Sequence, residues 1–123
     1  MTGQSPQERA AARDRLAAER ERTAHRLAAL ERDLESITAS TASAAGADDE
    51  HDPEGSSTAF DRQHVAALLG QAQDQLAAIE RAERRLGDGS YGRCERCGRD
   101  IGAGRLEARP AAATCVACAA ARR

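Results

Sequence analysis

The stretch Cys94-Glu95-Arg96-Cys97, followed later by Cys115-Val116-Ala117-Cys118, decides the fold at the C-terminal end of this chain. The chain has no other cysteines, and 17 residues separate the two Cys-x-x-Cys pairs. Each pair brings two thiolates together from one tight turn, and the gap lets the chain fold back so that the pairs face each other. Four converging sulfurs suit a tetrahedral zinc ion with Zn–S bonds of about 2.3 Å. The predicted ligands of one structural Zn²⁺ are Cys94, Cys97, Cys115 and Cys118.

Two other uses of paired cysteines fit the sequence less well. Disulfides are typical of secreted proteins, whereas residues 1–5 run straight into charged sequence without the pattern of a signal peptide, so we expect a cytoplasmic protein. A redox Cys-x-x-Cys needs only one pair within a βαβ pattern, which the sequence does not show. Because four thiolates leave no vacant position on the metal, the zinc ion is expected to be structural rather than catalytic.

The composition favours long helices over a large packed core. With 123 residues there is room for one domain, or for one domain with a long appendage. Aromatic residues make up 2% of the chain, namely Phe60 and Tyr91, while Ala, Arg and Glu dominate. No apolar run approaches the length of a membrane span, so a membrane partner is not expected.

A first helix is predicted from Pro6 to about Ile37. Ser5 can cap it, Pro6 stands where a missing N–H costs nothing, and Glu8 completes a capping box. No Gly or Pro interrupts the stretch. Alternating steps of three and four residues, typical of a coiled-coil seam, connect Leu16, Arg20, Thr23, Leu27, Leu30, Leu34 and Ile37.

A second helix is predicted after a polar connector. Residues 38–47 are rich in Ser, Thr and Ala, and Pro53 and Gly55 are expected to keep the chain out of a helix. The helix is predicted to begin after a cap at Ser57 or Thr58 and to end with Gly87 as a left-handed C-cap. Its heptad stripe consists of Val65, Ala72, Ile79 and Leu86, flanked by Leu68, Leu69 and Leu76.

These elements predict a mainly α protein with two parts. Neither long helix can bury its stripe alone, so we expect a long antiparallel coiled-coil hairpin over residues 1–87, with a tip loop at about 40–56. Residues 88–123 are predicted to form a small four-cysteine zinc-finger module, in which Thr114 caps a short terminal helix. Nothing in the sequence makes one part depend strongly on the other.

The predicted tip is acidic, with five carboxylates within seven residues. Placed at the far end of a stiff helical hairpin, they could act on a magnesium ion or a basic loop of a partner. They could equally solvate a turn. The tip residues are Asp48, Asp49, Glu50, Asp52 and Glu54.

The zinc module resembles the TraR/DksA family of bacterial RNA polymerase-binding transcription regulators. The similarity covers about 30 residues closely, and the preceding hairpin with its acidic tip matches the family architecture. The residues that carry it are Tyr91-Gly92-x-Cys94-x-x-Cys97-Gly98-x-x-Ile101, Arg105-Leu106-x-Ala108-x-Pro110 and Cys115-x-x-Cys118.

The resemblance implies a factor that needs no DNA. Its zinc module would dock at the rim of the polymerase secondary channel, and its hairpin would reach toward the active site. The family tip pattern Asp-x-x-Asp-x-Ala corresponds here to Asp49-x-x-Asp52-x-Glu54, whereas counting back from the cysteines without gaps puts His51 and Glu54 at the aspartate positions. Arg105 and Arg109 are candidate partner-binding residues of the module, or they bond within it.

We therefore expect a monomeric, zinc-stabilised regulator that binds RNA polymerase rather than promoter DNA. Direct DNA binding is not expected, because stacking aromatics are missing and the module carries only a small positive excess. An enzyme is not expected either, because the acidic run lies on an exposed loop that would not tune a general acid or base. The alternatives are a zinc-ribbon nucleic-acid-binding adaptor and a structural coiled-coil interaction protein.

Overall fold

The computed structural model of the chain describes residues 4–44 and 53–121. Within these ranges the protein is helical, with α1 at Pro6–Ala44, α2 at Pro53–Asp88, α3 at Ala103–Ala108 and α4 at Val116–Ala121. No strand is present in the described ranges, apart from one isolated antiparallel bridge between Arg93 and Asp100. The helices of these ranges include none with an apolar segment long enough to cross a membrane.

The predicted capping box starts α1. The Ser5 amide donates to the Glu8 carboxylate at 2.8 Å, and the Glu8 amide donates to the Ser5 hydroxyl at 3.1 Å. This reciprocal pair satisfies two amides that have no partner inside the helix. The helix continues past the predicted end at Ile37 to Ala44, since the following residues include alanine and no Gly or Pro that would break it.

Both ends of α2 differ from the prediction. The helix begins at Pro53, because proline is well tolerated in the first turn, where its N–H would have no partner. At the other end Gly87 is still helical, and Gly89 adopts the left-handed conformation with φ of 87°. The amide of Ser90 then donates to the carbonyl of Arg85 at 2.9 Å, as in a Schellman motif.

The chain divides into two compact units, Met1–Arg22 with Gln75–Arg123 and Thr23–Asp74. In the first unit α1 and α2 pack side by side, and Arg20 on α1 forms an ion pair with Glu83 on α2 at 2.5 Å. The Gln75 amide donates to Glu19 at 3.3 Å. One hydrophobic cluster holds this unit together, consisting of Ala12, Leu16, Ile79, Ala82, Tyr91, Cys94, Ile101 and Leu106.

This cluster contains residues from both of the parts that were predicted separately, the long helices and the cysteine module. Leu16 of α1 and Ile79 of α2 are fully buried in it, alongside Cys94 of the first cysteine pair. The first half of α1, the last turns of α2 and the cysteine module therefore share one core. No sequence pattern predicted a strong dependence between the helices and the module.

The second unit contains the other half of the helical seam. Thr23 and Leu30 of α1 and Ala72 of α2 are buried. Further seam residues are half-buried, and they are Leu27, Leu34, Ile37, Val65, Leu68 and Leu69. This burial pattern confirms the predicted stripes on both helices, which are buried or half-buried from Leu16 to Ile37 on α1 and from Val65 to Leu86 on α2.

Candidate metal centre

The first cysteine pair lies in a tight turn that follows α2. The Cys94 amide donates to the Arg99 carbonyl at 2.8 Å, and the Gly98 amide donates to the Cys94 carbonyl at 2.9 Å. Gly98 directly after Cys97 has φ of 77°, a conformation that costs little only for glycine. The turn thus brings both sulfurs of the pair to one side.

The second pair lies at the start of α4. The helix begins at Val116, so Cys115 rather than Thr114 occupies the position just before it, and the Ala119 amide donates to the Cys115 carbonyl at 2.9 Å. A separate bond between the Glu95 amide and the Ala113 carbonyl, at 2.9 Å, connects the two halves of the module. The pairs are therefore brought together by the fold of the chain itself.

The four sulfurs converge as the spacing predicts. The Sγ atoms of Cys94, Cys97, Cys115 and Cys118 all lie within 4.8 Å of one another. The Sγ atoms of Cys97 and Cys115 are 3.9 Å apart. A regular tetrahedron with Zn–S bonds of about 2.3 Å has edges of about 3.8 Å, so the cluster has the size that a zinc ion requires.

The charge state of the thiols also favours a metal ion. Burial opposes ionisation of Cys94, but backbone N–H groups, chiefly those of Cys115 and Cys97, outweigh it and lower the pKa of this thiol to about 6. Hydrogen bonds with the sulfurs of Cys115 and Cys94 raise the pKa of Cys118 to about 12. Without a metal ion Cys94 therefore ionises readily while Cys118 keeps its proton, and a divalent zinc ion bound by all four sulfurs would displace that proton and compensate the thiolate charge.

Burial around the sulfurs is uneven. Cys94 is 2% exposed and packs in the core, whereas Cys97 is exposed and the second pair is half-buried. Four protein ligands fill the positions of a tetrahedral ion, so the centre is of the structural kind. When bound, zinc supplies a crosslink between the turn after α2 and the start of α4.

The two candidate arginines lie in different surroundings. The Arg105 guanidinium donates through Nε to the Thr114 carbonyl at 2.9 Å, so at least part of its function is to bond within the module. Arg109 is exposed, and both residues line a groove of about 690 Å³ that α2 and the module share within the first unit. Whether either contacts a partner stays a prediction.

The acidic tip falls largely outside the described residues. Asp48, Asp49, Glu50 and Asp52 lie between the two described ranges, and Glu54 lies in the first turn of α2. The assignment of these five carboxylates to partner binding stays a prediction.

Sequence reasoning missed one residue that contacts the metal module. Arg85, in the last turn of α2, reaches the backbone just before Cys94. Its neighbours Arg81 and Arg84 belong to the same charged stretch, so no pattern in the sequence singles it out.

Comparison with known families covers the module. Residues 89–123 match the prokaryotic dksA/traR C4-type zinc finger. The RNA polymerase-binding transcription factors DksA of two Caulobacter vibrioides strains, NA1000 / CB15N and ATCC 19089 / CIP 103742 / CB 15, are each 57% identical to the chain over 37 residues. That stretch is 30% of this chain and 26% of each relative, so the sequence match concerns the zinc finger and not the whole protein.

Comparison with solved structures covers the fold. The transcription factor DksA2 from Pseudomonas aeruginosa superimposes with a TM-score of 0.75 over 96% of this chain and 84% of that one. Sequence identity is 24%, so this similarity shows a shared fold. It supports the prediction of two long packed helices followed by a cysteine module.

Proposed function

We propose that this protein, whose zinc module belongs to the TraR/DksA family of C4-type zinc fingers, regulates transcription by binding RNA polymerase rather than promoter DNA. The observation that carries the proposal is the convergence of four sulfurs in a module that matches this family over residues 89–123. The relatives that share this module at 57% identity are named as RNA polymerase-binding transcription factors. Such a function places the protein in the cytoplasm, as a monomer on the enzyme.

The zinc module and the long helices would have different roles. The zinc module, with Arg105 and Arg109 at its groove, would supply the docking surface at the rim of the polymerase secondary channel. The long helices would carry the acidic tip toward the active site, where carboxylates could act on a bound magnesium ion or on a basic loop. This division follows the family resemblance and explains why a short metal-bound module is joined to two helices of 39 and 36 residues.

The direct test is binding of the zinc-loaded chain to purified bacterial RNA polymerase. We expect saturable binding at micromolar concentrations that a known secondary-channel factor displaces. Binding to duplex or single-stranded DNA alone, with the strong salt dependence of phosphate contacts, would instead favour a nucleic-acid adaptor. Absence of any polymerase complex would contradict the proposal.

The role of the tip is tested separately from docking. Asp49→Asn combined with Asp52→Asn should change transcript output in a purified system while leaving polymerase affinity nearly unchanged, because the docking surface is elsewhere. The control combines Asp33→Asn with Asp74→Asn, which removes the same charge from exposed helical positions. If affinity falls only in the tip variant, the tip is an anchor and not an effector.

A further inference from the structure

Arg85 makes an unusual set of contacts between the end of α2 and the first cysteine pair. Its side chain is 15% exposed, and its Nη2 donates to the Ser90 carbonyl at 2.9 Å and also to the Arg93 carbonyl. Its Nε is 3.4 Å from the Ser90 hydroxyl, and its Nη1 lies 3.7 Å from the Glu95 carboxylate. The guanidinium thus contacts three residues of the segment that contains Cys94.

The backbone of Arg85 binds the same segment. Its carbonyl accepts the amides of Ser90 and Tyr91, at 2.9 and 3.1 Å. Side chain and main chain of one residue therefore fix the path from the last turn of α2 to the first zinc ligand. These contacts require α2 to remain helical as far as Arg85.

The contact with Arg93 bears directly on the position of Cys94. The peptide bond between Arg93 and Cys94 is planar, with its carbonyl on one side and the Cys94 amide on the other. The carbonyl is held by Arg85, and the amide donates to Arg99 at 2.8 Å. Held at both ends, this peptide plane fixes the direction in which the Cys94 side chain leaves the backbone.

We propose that Arg85 is a positioning residue for the zinc centre, and that it links zinc binding to the order of the last turn of α2. Arginine is suited to this task because its planar guanidinium offers five N–H donors in a fixed geometry, whereas lysine offers one compact ammonium. Because coupling between two equilibria is reciprocal, zinc stabilises the ordered last turn of α2 by the same factor by which that ordered turn strengthens zinc binding.

The first experiment measures zinc affinity by competition with a chromophoric chelator, using Arg85→Ala, Arg85→Lys and the control Arg84→Ala. Arg84 is the exposed neighbour on the same helix and carries the same charge. We expect about a 10- to 100-fold loss of affinity in Arg85→Ala, the range typical of residues that orient metal ligands. Arg85→Lys should recover only a minor part of this loss, and Arg84→Ala should bind zinc like the original chain.

A second readout separates positioning from general stability. Cobalt-substituted protein reports the geometry around the metal through its visible absorption bands, which should shift or broaden in both Arg85 variants and not in Arg84→Ala. Amide exchange in the last turn of α2 should rise on zinc removal in the original chain and rise less in Arg85→Ala.

Two results would overturn the proposal. Equal zinc affinity and equal cobalt spectra in Arg85→Ala and Arg84→Ala would show that Arg85 acts only on folding stability. Full recovery in Arg85→Lys would show that charge alone matters and that the guanidinium geometry does not. If Arg85→Ala does not fold, the comparison of Arg85→Lys with Arg84→Ala decides the matter by the same criteria.

Discussion

Tyr91 shows how one side chain can hold together a core that is poor in aromatic residues. It is 6% exposed, and its hydroxyl donates to the Pro110 carbonyl at 2.7 Å, across 19 residues of chain. The bond connects the turn after α2 with the segment that follows α3. The ring at the same time packs in the cluster with Leu16 and Cys94.

Replacing Tyr91 by Phe should lower the free energy of unfolding by about 1–2 kcal/mol, because the Pro110 carbonyl loses its partner while the ring is kept. Urea unfolding of the zinc-loaded variant measures the change. A variant as stable as the original chain would show that water replaces the hydroxyl without cost.

The same residue predicts a loss of stability at alkaline pH. Burial raises the pKa of Tyr91 above its ordinary value of 10.0. Because the unfolded chain releases this proton first, the contribution of Tyr91 is complete below about pH 10 and declines as pH rises toward the folded pKa. Unfolding free energies at about pH 9 and pH 11 should differ less in Tyr91→Phe than in the original chain. If the unfolding free energy changes equally between these two pH values in both proteins, other groups cause the loss of stability.

Replacing Gly92 or Gly70 by alanine should have opposite effects on the stability of the protein. Gly92 has φ of 90°, and an added Cβ would lie 3.4 Å from Gln4 Nε2 and 3.6 Å from Leu106 Cδ1. Gly70 within α2 has ordinary helical geometry and nothing within 4 Å of such a Cβ. Gly92→Ala is expected to destabilise by about 1–2 kcal/mol and Gly70→Ala to stabilise by up to about 1 kcal/mol, measured by thermal unfolding. The same sign for both would contradict this assignment.

At the scale of the elements, α1 depends on its first turn. Ser5→Ala removes the side-chain half of the capping box and should cost about 0.5–2 kcal/mol. Ser36→Ala, at an exposed position inside the same helix, is the control and should be neutral or slightly stabilising, since alanine is the better helix former. Chemical denaturation distinguishes the two, and equal effects would show that the cap contributes nothing.

The features of the helices that could be predicted from sequence are local or periodic. The capping box needs only residues 5–8, and the seam repeats along each helix, so both were predicted correctly. The helix ends at Ala44 and Pro53 were missed because Ser, Thr and Ala differ little in helix propensity and because proline is tolerated in a first helical turn as well as outside a helix. The left-handed residue was predicted to be Gly87 and is Gly89, because either glycine can adopt this conformation. The choice depends on the hydrogen bonds that the Ser90 and Tyr91 amides donate to the Arg85 carbonyl.

The features of the metal site also differ in whether the sequence alone predicts them. The convergence of the four sulfurs follows from spacing alone, since two tight turns with a long gap have few other ways to satisfy four thiolates. The bond from Arg105 to Thr114 and the contacts of Arg85 depend on how α2 meets the module, and no periodic signal encodes them. These are properties of the tertiary structure.

For the whole molecule, the shared core predicts that zinc removal affects more than the cysteine module. Structural zinc contributes about 10–16 kcal/mol to folding in zinc-finger peptides at neutral pH. A strong chelator, or Cys94→Ser, should therefore accelerate amide exchange around Leu16 and Ile79 as well as around the cysteines. Unchanged protection at these two helical positions would show that the helices fold without the module, as the sequence alone suggested.

The placement of Cys94 in the same cluster as Leu16 and Ile79 also bears on the lifetime of the protein in a cell. Chains that lose their metal would expose these apolar side chains, and cellular proteases degrade opened chains in proportion to their population. Turnover would then remove the demetallated molecules selectively. The amount of this protein in the cell would follow the supply of zinc, with no dedicated sensor.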